Sequence, residues 1–322
     1  MAPVLSVVIP MYNEEEAFGP LVARLRPVLD GLGEPYEVVA VNDGSADATG
    51  RLLAEEQALW PELRVVALRR NAGHQAALTA GTRRALGNYV VSIDADLQDP
   101  PEKIPEMLAL ARGENLDVVY GVRSDRDRDT FFKRSTAGAY YGMMRRLVGD
   151  WVPSQAGDFR LMSRAVVESL ATLPEHQPVY RLLVPSLGFP SGTVEYVRAE
   201  RVAGSTKYPL GKMVRLALDS VTNFSAAPLR LATWLGLVSF CFCLLMIVFG
   251  VVAFAAGATV PGWTSLFVTV LFLGALQLIC LGLLGEYIGR LYATVQNRPT
   301  YQVARDTLHD VDAKPAAFAG DR

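Results

Sequence analysis

The sequence predicts an α/β domain on a mostly parallel sheet, followed by a C-terminal region that enters a membrane. Three observations predict it. Short β-branched runs alternate with helical stretches over residues 1–208. Four successive strand candidates end in polar clusters: Asn13-Glu14, Asn42-Asp43-Gly44-Ser45, Asn71-Ala72-Gly73 and Asp94-Ala95-Asp96. Finally, the 55 residues 231–285 contain no Asp, Glu, Lys or Arg, which no soluble domain of this size tolerates.

The strand candidates are 5–9, 36–41, 63–68, 89–93 and 116–120, and 192–198 alternates apolar and polar residues as a further strand. Between the first five lie helical stretches at 15–29, 46–58, 75–86 and 102–111. Ligands of open α/β sheets bind beyond the carboxyl ends of the strands, so four polar strand ends in a row point to one site.

Residues 209–230 mix Lys212, Arg215 and Arg230 with Leu210, Met213, Leu216 and Leu218, as in a helix lying in a membrane interface. Residues 231–256 and 264–285 are each long enough to span a hydrocarbon core, with Pro261-Gly262 in the break between them. Cations flank the pair and the connecting loop is uncharged, so both ends are expected in the cytoplasm. The N-terminus has no basic n-region of a signal peptide, and the first domain is expected to stay cytoplasmic. Residues 286–322 are expected as a cytoplasmic helix and tail, with little to bury beyond about Leu308.

Composition excludes several classes. A net charge of −2 does not suit a nucleic-acid binder. The three cysteines, Cys241, Cys243 and Cys280, all lie in the apolar block, which excludes a disulfide framework and a thiolate zinc site. His74, His176 and His309 are too scattered in sequence to suggest a metal cluster. No G-x-G-x-x-G follows the first strand, so the phosphate loop of a dinucleotide-binding oxidoreductase is missing.

The strongest chemical feature is Ser92-Ile93-Asp94-Ala95-Asp96-Leu97-Gln98-Asp99-Pro100-Pro101-Glu102. An apolar strand delivers two carboxylates at its end, and the prolines then start a helix. Oxygen ligands on a short turn suit Mg²⁺ or Mn²⁺ shared with substrate phosphates; a D-x-D alone is equally a turn or a cap. Asp43 stands at another strand end, able to accept hydrogen bonds from a base or ribose, or, with Ser45, to cap a helix from Ala46. Pro10-Met11-Tyr12-Asn13-Glu14 offers either a stacking platform for a base or a turn before a helix.

Six segments occur in order: VVIPMYNEE, VNDGS, RNAGHQAALTAG, SIDADLQDPPE, GDFRLMSR and LGEYIGRLYATVQNRPTY. Together they resemble the family-2, GT-A-fold glycosyltransferases that load a sugar onto a polyprenyl phosphate, relatives of dolichyl-phosphate mannose synthase and bactoprenol glucosyltransferase. The resemblance covers about residues 5–301. It implies a GT-A catalytic domain, Rossmann-like, carrying a two-helix transmembrane hairpin. It implies that Pro10, Tyr12, Glu14 and Asp43 hold the nucleotide, with Asp94, Arg201 and Lys207 also on the nucleotide sugar. Asp96, Gln98 and Asp94 would take the metal, and Asp158 would stand with Asp96 at the reaction centre. Arg123, Arg134 and Ser135 match positions on the lipid phosphate, where Arg126, Arg128 and Lys133 compete, and the segment also reads as a solvated loop of alternating charge. The implied partners are a nucleotide-sugar donor, undecaprenyl phosphate and membrane lipid, with a homo-oligomer by analogy only.

Two rival readings are weaker. A processive polysaccharide synthase would need Gln-x-x-Arg-Trp, which none of Trp60, Trp151, Trp234 and Trp263 supplies. A non-catalytic scaffold would be favoured by loss of Asp94, Asp96 or Asp158, and all three are present.

Overall fold

Strands that are apolar at nearly every position need cover on both faces, and the computed structural model shows that cover. It describes residues 2–124, 156–173, 178–197, 227–256, 262–296 and 298–308. In chain order the α/β unit comprises β1 (Leu5–Met11), α1 (Glu15–Asp30), β2 (Tyr36–Asn42), α2 (Thr49–Leu59), β3 (Leu63–Leu68) and α3 (His74–Thr82). It continues through β4 (Tyr89–Ser92), a 3₁₀ turn (Pro101–Lys103), α4 (Ile104–Gly113), β5 (Val118–Arg123) and β6 (Ala156–Ser163). Then follow α5 (Arg164–Thr172), α6 (Tyr180–Ser186) and β7 (Ser191–Tyr196). Two long helices, α7 (Ala227–Ala255) and α8 (Trp263–Gln296), form a second unit. The strand β8 (Val303–Asp306) belongs to the first.

One eight-stranded sheet runs in the order β7-β5-β6-β4-β1-β2-β3-β8. All strands are parallel except β6 and β8, which run against their neighbours. This is a mixed α/β sheet of the GT-A, Rossmann-like kind. Side chains alternate between two cores, as the strand period of two requires. Leu5, Val7 and Ile9 join α1 and α4 through Phe18, Leu25, Ile104 and Met107 on one face. Val8, Val39 and Val41 join α3, α5 and α6 through Leu78, Val167 and Leu183 on the other.

Several boundaries differ from the expectation for identifiable reasons. Helix α2 begins at Thr49 rather than Ala46, and neither Asp43 nor Ser45 caps it. The Ala46 amide donates to Asn13 Oδ1 (2.9 Å) and the Asn13 amide to Ser45 Oγ (3.1 Å), so these residues tie two loops together instead. Helix α3 stops at Thr82, short of Leu86, because the Leu86 and Gly87 amides turn to Glu37 Oε1 (2.6 Å) and Ser6 Oγ (2.8 Å). Strand β5 extends to Arg123, held by parallel pairing to β7 that ends at Arg123 opposite Tyr196.

Strands β6 and β8 were not anticipated. The C-terminal region is therefore more than a helix and tail: β8 closes the β3 edge, which would otherwise present unpaired backbone groups. Arg64 on β3 grips Asp306 with two hydrogen bonds, Nε to Oδ1 at 2.8 Å and Nη2 to Oδ2 at 2.7 Å, and both residues are buried. The pair is bidentate, the geometry in which a guanidinium and a carboxylate match best. Arg84 Nε lies 3.3 Å from the same carboxylate.

In the second unit α7 and α8 pack on each other. Large apolar side chains face outward along both, among them Trp234, Phe240, Leu245, Phe272 and Leu278. Helix α8 runs unbroken past Gly285, through Glu286, to Gln296. Among the described residues, Phe272–Gln296 is the one stretch long and apolar enough to cross a membrane, and Ala232–Phe242 is a shorter apolar helix. Most of the expected interfacial segment, 209–226, lies outside the described residues.

Candidate active site

Strand direction collects the polar strand ends. β1, β2, β4, β5 and β7 all finish at the same sheet edge, at Met11, Asn42, Ser92, Arg123 and Tyr196. β6 enters at that edge from the opposite direction, with Arg160 paired to Ser92, so Asp158 sits just beyond the end of β4. Tyr12, Asp43, Asp94, Asp96, Arg123 and Asp158 thus come to one edge, where α/β sheets bind ligands.

On the β1–β2 side, Pro10 lies within β1, buried and paired with Val41, while Tyr12 just beyond is 47% exposed. Asn13 adopts a left-handed backbone (φ 54°) that Asn tolerates better than most residues. The Glu14 carbonyl accepts from Ala17 and Phe18 at the start of α1. Asp43 is buried, and its carboxylate accepts from the Ala72 amide (2.7 Å) and the Gly73 amide (2.9 Å). Burial raises its pKa, against the pull of those two hydrogen bonds and of His74. Asp43 therefore sets the loop that launches α3 with His74 at its first turn.

Past β4 the chain turns sharply. Leu97, buried in the core, has φ 58°, a strained conformation for a leucine. The Asp96 carboxylate accepts from the Gln98 amide at 3.1 Å, closing the turn. This bend directs Asp94, Asp96 and Gln98 outward while Ala95, Leu97 and Asp99 turn inward.

Asp158 is the most heavily held carboxylate at the edge. Arg160 Nη2 donates to Oδ1 at 2.8 Å, and to the Gly157 carbonyl at 2.7 Å, from a guanidinium with no solvent exposure. Gln75 Nε2 donates to Oδ2 at 3.5 Å, its amide oriented by the Tyr180 N–H (3.2 Å to Gln75 Oε1). His74 Nε2 lies 3.5 Å from Asp158 Oδ2 and 3.7 Å from Asp94 Oδ1, and Arg181 Nη2 3.8 Å from Asp158 Oδ2. Burial alone would raise Asp158, but the His74 hydrogen bond and the charges of Arg160 and Arg181 hold its carboxyl well below the usual range.

Asp94 goes the other way. Its pKa is raised to about 6: burial pushes it up most, His74 pulls it down, and the charges of Asp158, Asp99 and Asp96 add to the rise. The negative charge that Asp158, Asp99 and Asp96 add around Asp94 is what a divalent cation would relieve. The side chain keeps 41% of its accessibility, so an ion can reach it. Among the described residues no three acidic, His or Cys side chains converge to cage a metal by themselves. Such a donor set fits Mg²⁺ or Mn²⁺, which complete their shell with water and substrate phosphates.

Arg123 closes the opposite flank. Its Nη2 is 3.9 Å from where a Cβ on Gly157 would stand, next to Asp158. Its Nε donates to the Tyr196 hydroxyl at 3.5 Å. Arg134, Ser135, Arg201 and Lys207 lie outside the described residues, as do His176 and His309. The sequence reading missed His74, Gln75, Arg160 and Tyr196. The three histidines are scattered in sequence, yet the β3–α3 connection delivers His74 between Asp94 and Asp158.

Residues 6–171 match the family model for glycosyl transferase family 2, and residues 227–291 match the GtrB C-terminal hairpin. YkcC of Bacillus subtilis, an uncharacterized glycosyltransferase, is 44% identical over 301 residues, covering 93% of this chain and 93% of its own. The SfII prophage-derived bactoprenol glucosyl transferase of Shigella flexneri is 40% identical over 305 residues, 94% of this chain and 97% of its own. Glucosyl-3-phosphoglycerate synthase of Mycobacterium tuberculosis aligns in structure with a TM-score of 0.46 at 22% identity, over 68% of this chain and 76% of that one. With one family model spanning half the chain and a relative matched along nearly its whole length, the chain belongs to glycosyl transferase family 2 and is a glycosyltransferase bearing the GtrB C-terminal hairpin.

Proposed function

We propose that the enzyme transfers one glucose from UDP-glucose to undecaprenyl phosphate at the cytoplasmic membrane face, with inversion and with Mg²⁺ or Mn²⁺. The observation that carries this reading is the juxtaposition of Asp94, Asp96 and Asp158 with Arg123 at one sheet edge. It offers a carboxylate pair for a metal–diphosphate donor next to a cation for an anionic acceptor. The choice of glucose and of a prenyl phosphate rests on relatives named bactoprenol glucosyl transferase, about 40% identical over most of the chain.

Tyr12, exposed at the end of β1, stacks on the base, and Asp43 shapes the adjoining loop. Asp94, Asp96 and Gln98 would hold the cation, which when bound would supply positive charge to offset that of the departing nucleotide. Arg201 and Lys207 join it on the diphosphate, and Arg123, Arg134 and Ser135 take the acceptor phosphate. An oxygen of that phosphate attacks the anomeric carbon from the face opposite the diphosphate. The carbon–oxygen bond to the diphosphate breaks, and its electron pair leaves with UDP. The acceptor is a phosphate monoester, largely dianionic at neutral pH with a second pKa of about 6, so no proton must be removed. Asp158, held ionised by Arg160 and His74, orients the reacting groups rather than accepting a proton. Helices α7 and α8, apolar on their outer faces, enter the bilayer as a hairpin.

The test is transfer of label from a panel of UDP- and GDP-sugars to undecaprenyl phosphate, by full-length protein in detergent with Mg²⁺ or Mn²⁺. Organic-phase label from UDP-glucose, abolished by EDTA and by Asp96→Asn, is the expected result. Label from GDP-mannose or a modified UDP-sugar instead would overturn the sugar assignment. No lipid-linked label from any donor would overturn the acceptor.

A further inference from the structure

Tyr196 is the last residue of β7 and pairs in register with Arg123, the last residue of β5. Its hydroxyl donates to Asp99 Oδ1. A tyrosine hydroxyl has one proton, and here it is spent on Asp99. Burial first, and the Asp99 charge second, raise the Tyr196 pKa, so the proton stays on the hydroxyl. The oxygen's lone pairs are left for Arg123, whose Nε donates to it at 3.5 Å. The chain of hydrogen bonds has one direction: Arg123 to Tyr196 to Asp99.

Position and burial make this a defined junction. Tyr196 is 3% exposed and Asp99 4% exposed. The ring is set by an edge-on contact with Phe159 (centroids 5.6 Å apart, 83° between planes) and by Gly121, where a Cβ would stand 3.1 Å from Tyr196 Cε1. Ser124, which follows Arg123, donates to the Tyr196 carbonyl through both its amide (3.0 Å) and its hydroxyl (3.2 Å). Asp99 ends the turn that carries Asp94, Asp96 and Gln98.

We infer that Tyr196 is a positioning residue that couples Arg123, on the acceptor phosphate, to the Asp94–Asp99 turn, on the donor diphosphate. The inference rests on the acceptor role of Arg123 proposed above. Two anions that repel must be brought within bonding distance. A rigid link between the cation of one and the turn of the other fixes their separation at little entropic cost.

The experiment measures KM for undecaprenyl phosphate and for UDP-glucose, and the melting temperature, in full-length wild type, Tyr196→Phe, Arg123→Gln and the double variant. Removing the hydroxyl while keeping the ring is expected to raise the acceptor KM about five- to tenfold, the worth of one hydrogen bond. The donor KM should change less than about twofold. The double variant should be no worse than Arg123→Gln alone, because Tyr196 acts through Arg123. An unchanged acceptor KM in Tyr196→Phe, with a raised one in Arg123→Gln, overturns the coupling and leaves the Arg123 reading intact. An unchanged acceptor KM in Arg123→Gln overturns that reading itself, and the coupling with it. Equal rises in both KM values, or fully additive effects in the double variant, mean that Tyr196 is only structural. Should Tyr196→Phe not fold, Arg123→Lys keeps the charge but lacks the Nε–H donor; a raised acceptor KM is expected there, and an unchanged one overturns the coupling.

Discussion

Arg160, without solvent exposure, holds the Asp158 carboxylate through one guanidinium nitrogen at 2.8 Å. A carboxylate so held, and pulled further down by His74 and Arg181, is ionised throughout the neutral range. A base of ordinary strength would instead add a limb to the rate profile where it loses its proton.

The first prediction follows from that sign. Because the folded pKa of Asp158 is depressed, no rising limb of kcat/KM for the acceptor should belong to it. The limb expected near pH 6 belongs to the second ionisation of the acceptor phosphate. Asp158→Asn should lower the plateau by about 10²–10³-fold without moving that limb. Initial rates between pH 5 and 9 check this, and a limb that vanishes in the variant would make Asp158 the base.

Asp43 is the second case. Its two oxygens accept from two successive amides, Ala72 and Gly73. An asparagine has one oxygen to offer, and its NH₂ would face the other N–H. Asp43→Asn should cost about 1–3 kcal/mol and leave one amide unsatisfied. It should also displace His74, one residue further on, and raise the donor KM more than the acceptor KM. Denaturant melts and two-substrate kinetics measure both effects.

How much of this was legible in sequence depended on what each residue serves. β1 to β4 are buried on both faces, so their runs of Val, Leu and Ile were readable directly, and the polar residues ending them located the site. β6 was not, because Asp158 and Arg160 serve the site from within the strand and break its apolar pattern. β8 was hidden for a different reason. Val303-Ala304-Arg305-Asp306 has no apolar run, and its strand state comes from β3 and from Arg64, 242 positions away. His74 shows the limit of counting spacing: the fold, not the sequence, sets it beside two carboxylates.

β8 yields the third prediction. Arg64 lowers the Asp306 pKa against the effect of burial. A depressed folded value means that the pair stabilises fully above the ordinary 3.8, and that this is lost as pH falls through the lower folded value. Asp306→Asn should destabilise by about 1–3 kcal/mol at neutral pH, since it removes the bidentate partner of buried Arg64 and leaves it Glu37, 3.7 Å away, for an anion. The difference in melting temperature between wild type and variant should shrink below pH 4. A difference independent of pH would mean that the strand pairing, not the ion pair, holds β8.

The last prediction concerns Gly121, in the middle of the site's support. A Cβ there would stand 2.5 Å from Phe159 Cδ1 and 3.1 Å from Tyr196 Cε1, too close for either ring to stay in place. Phe159 is fully buried and cannot swing into solvent. Gly121→Ala should therefore cost about 1–3 kcal/mol from overpacking. The clash is hardest on Phe159 and reaches the Tyr196 ring packed edge-on against it, so the acceptor KM should rise while the donor KM stays near wild type. Loss of stability with neither KM changed would mean that the strain is absorbed around Phe159 and that the Tyr196 hydroxyl keeps its place.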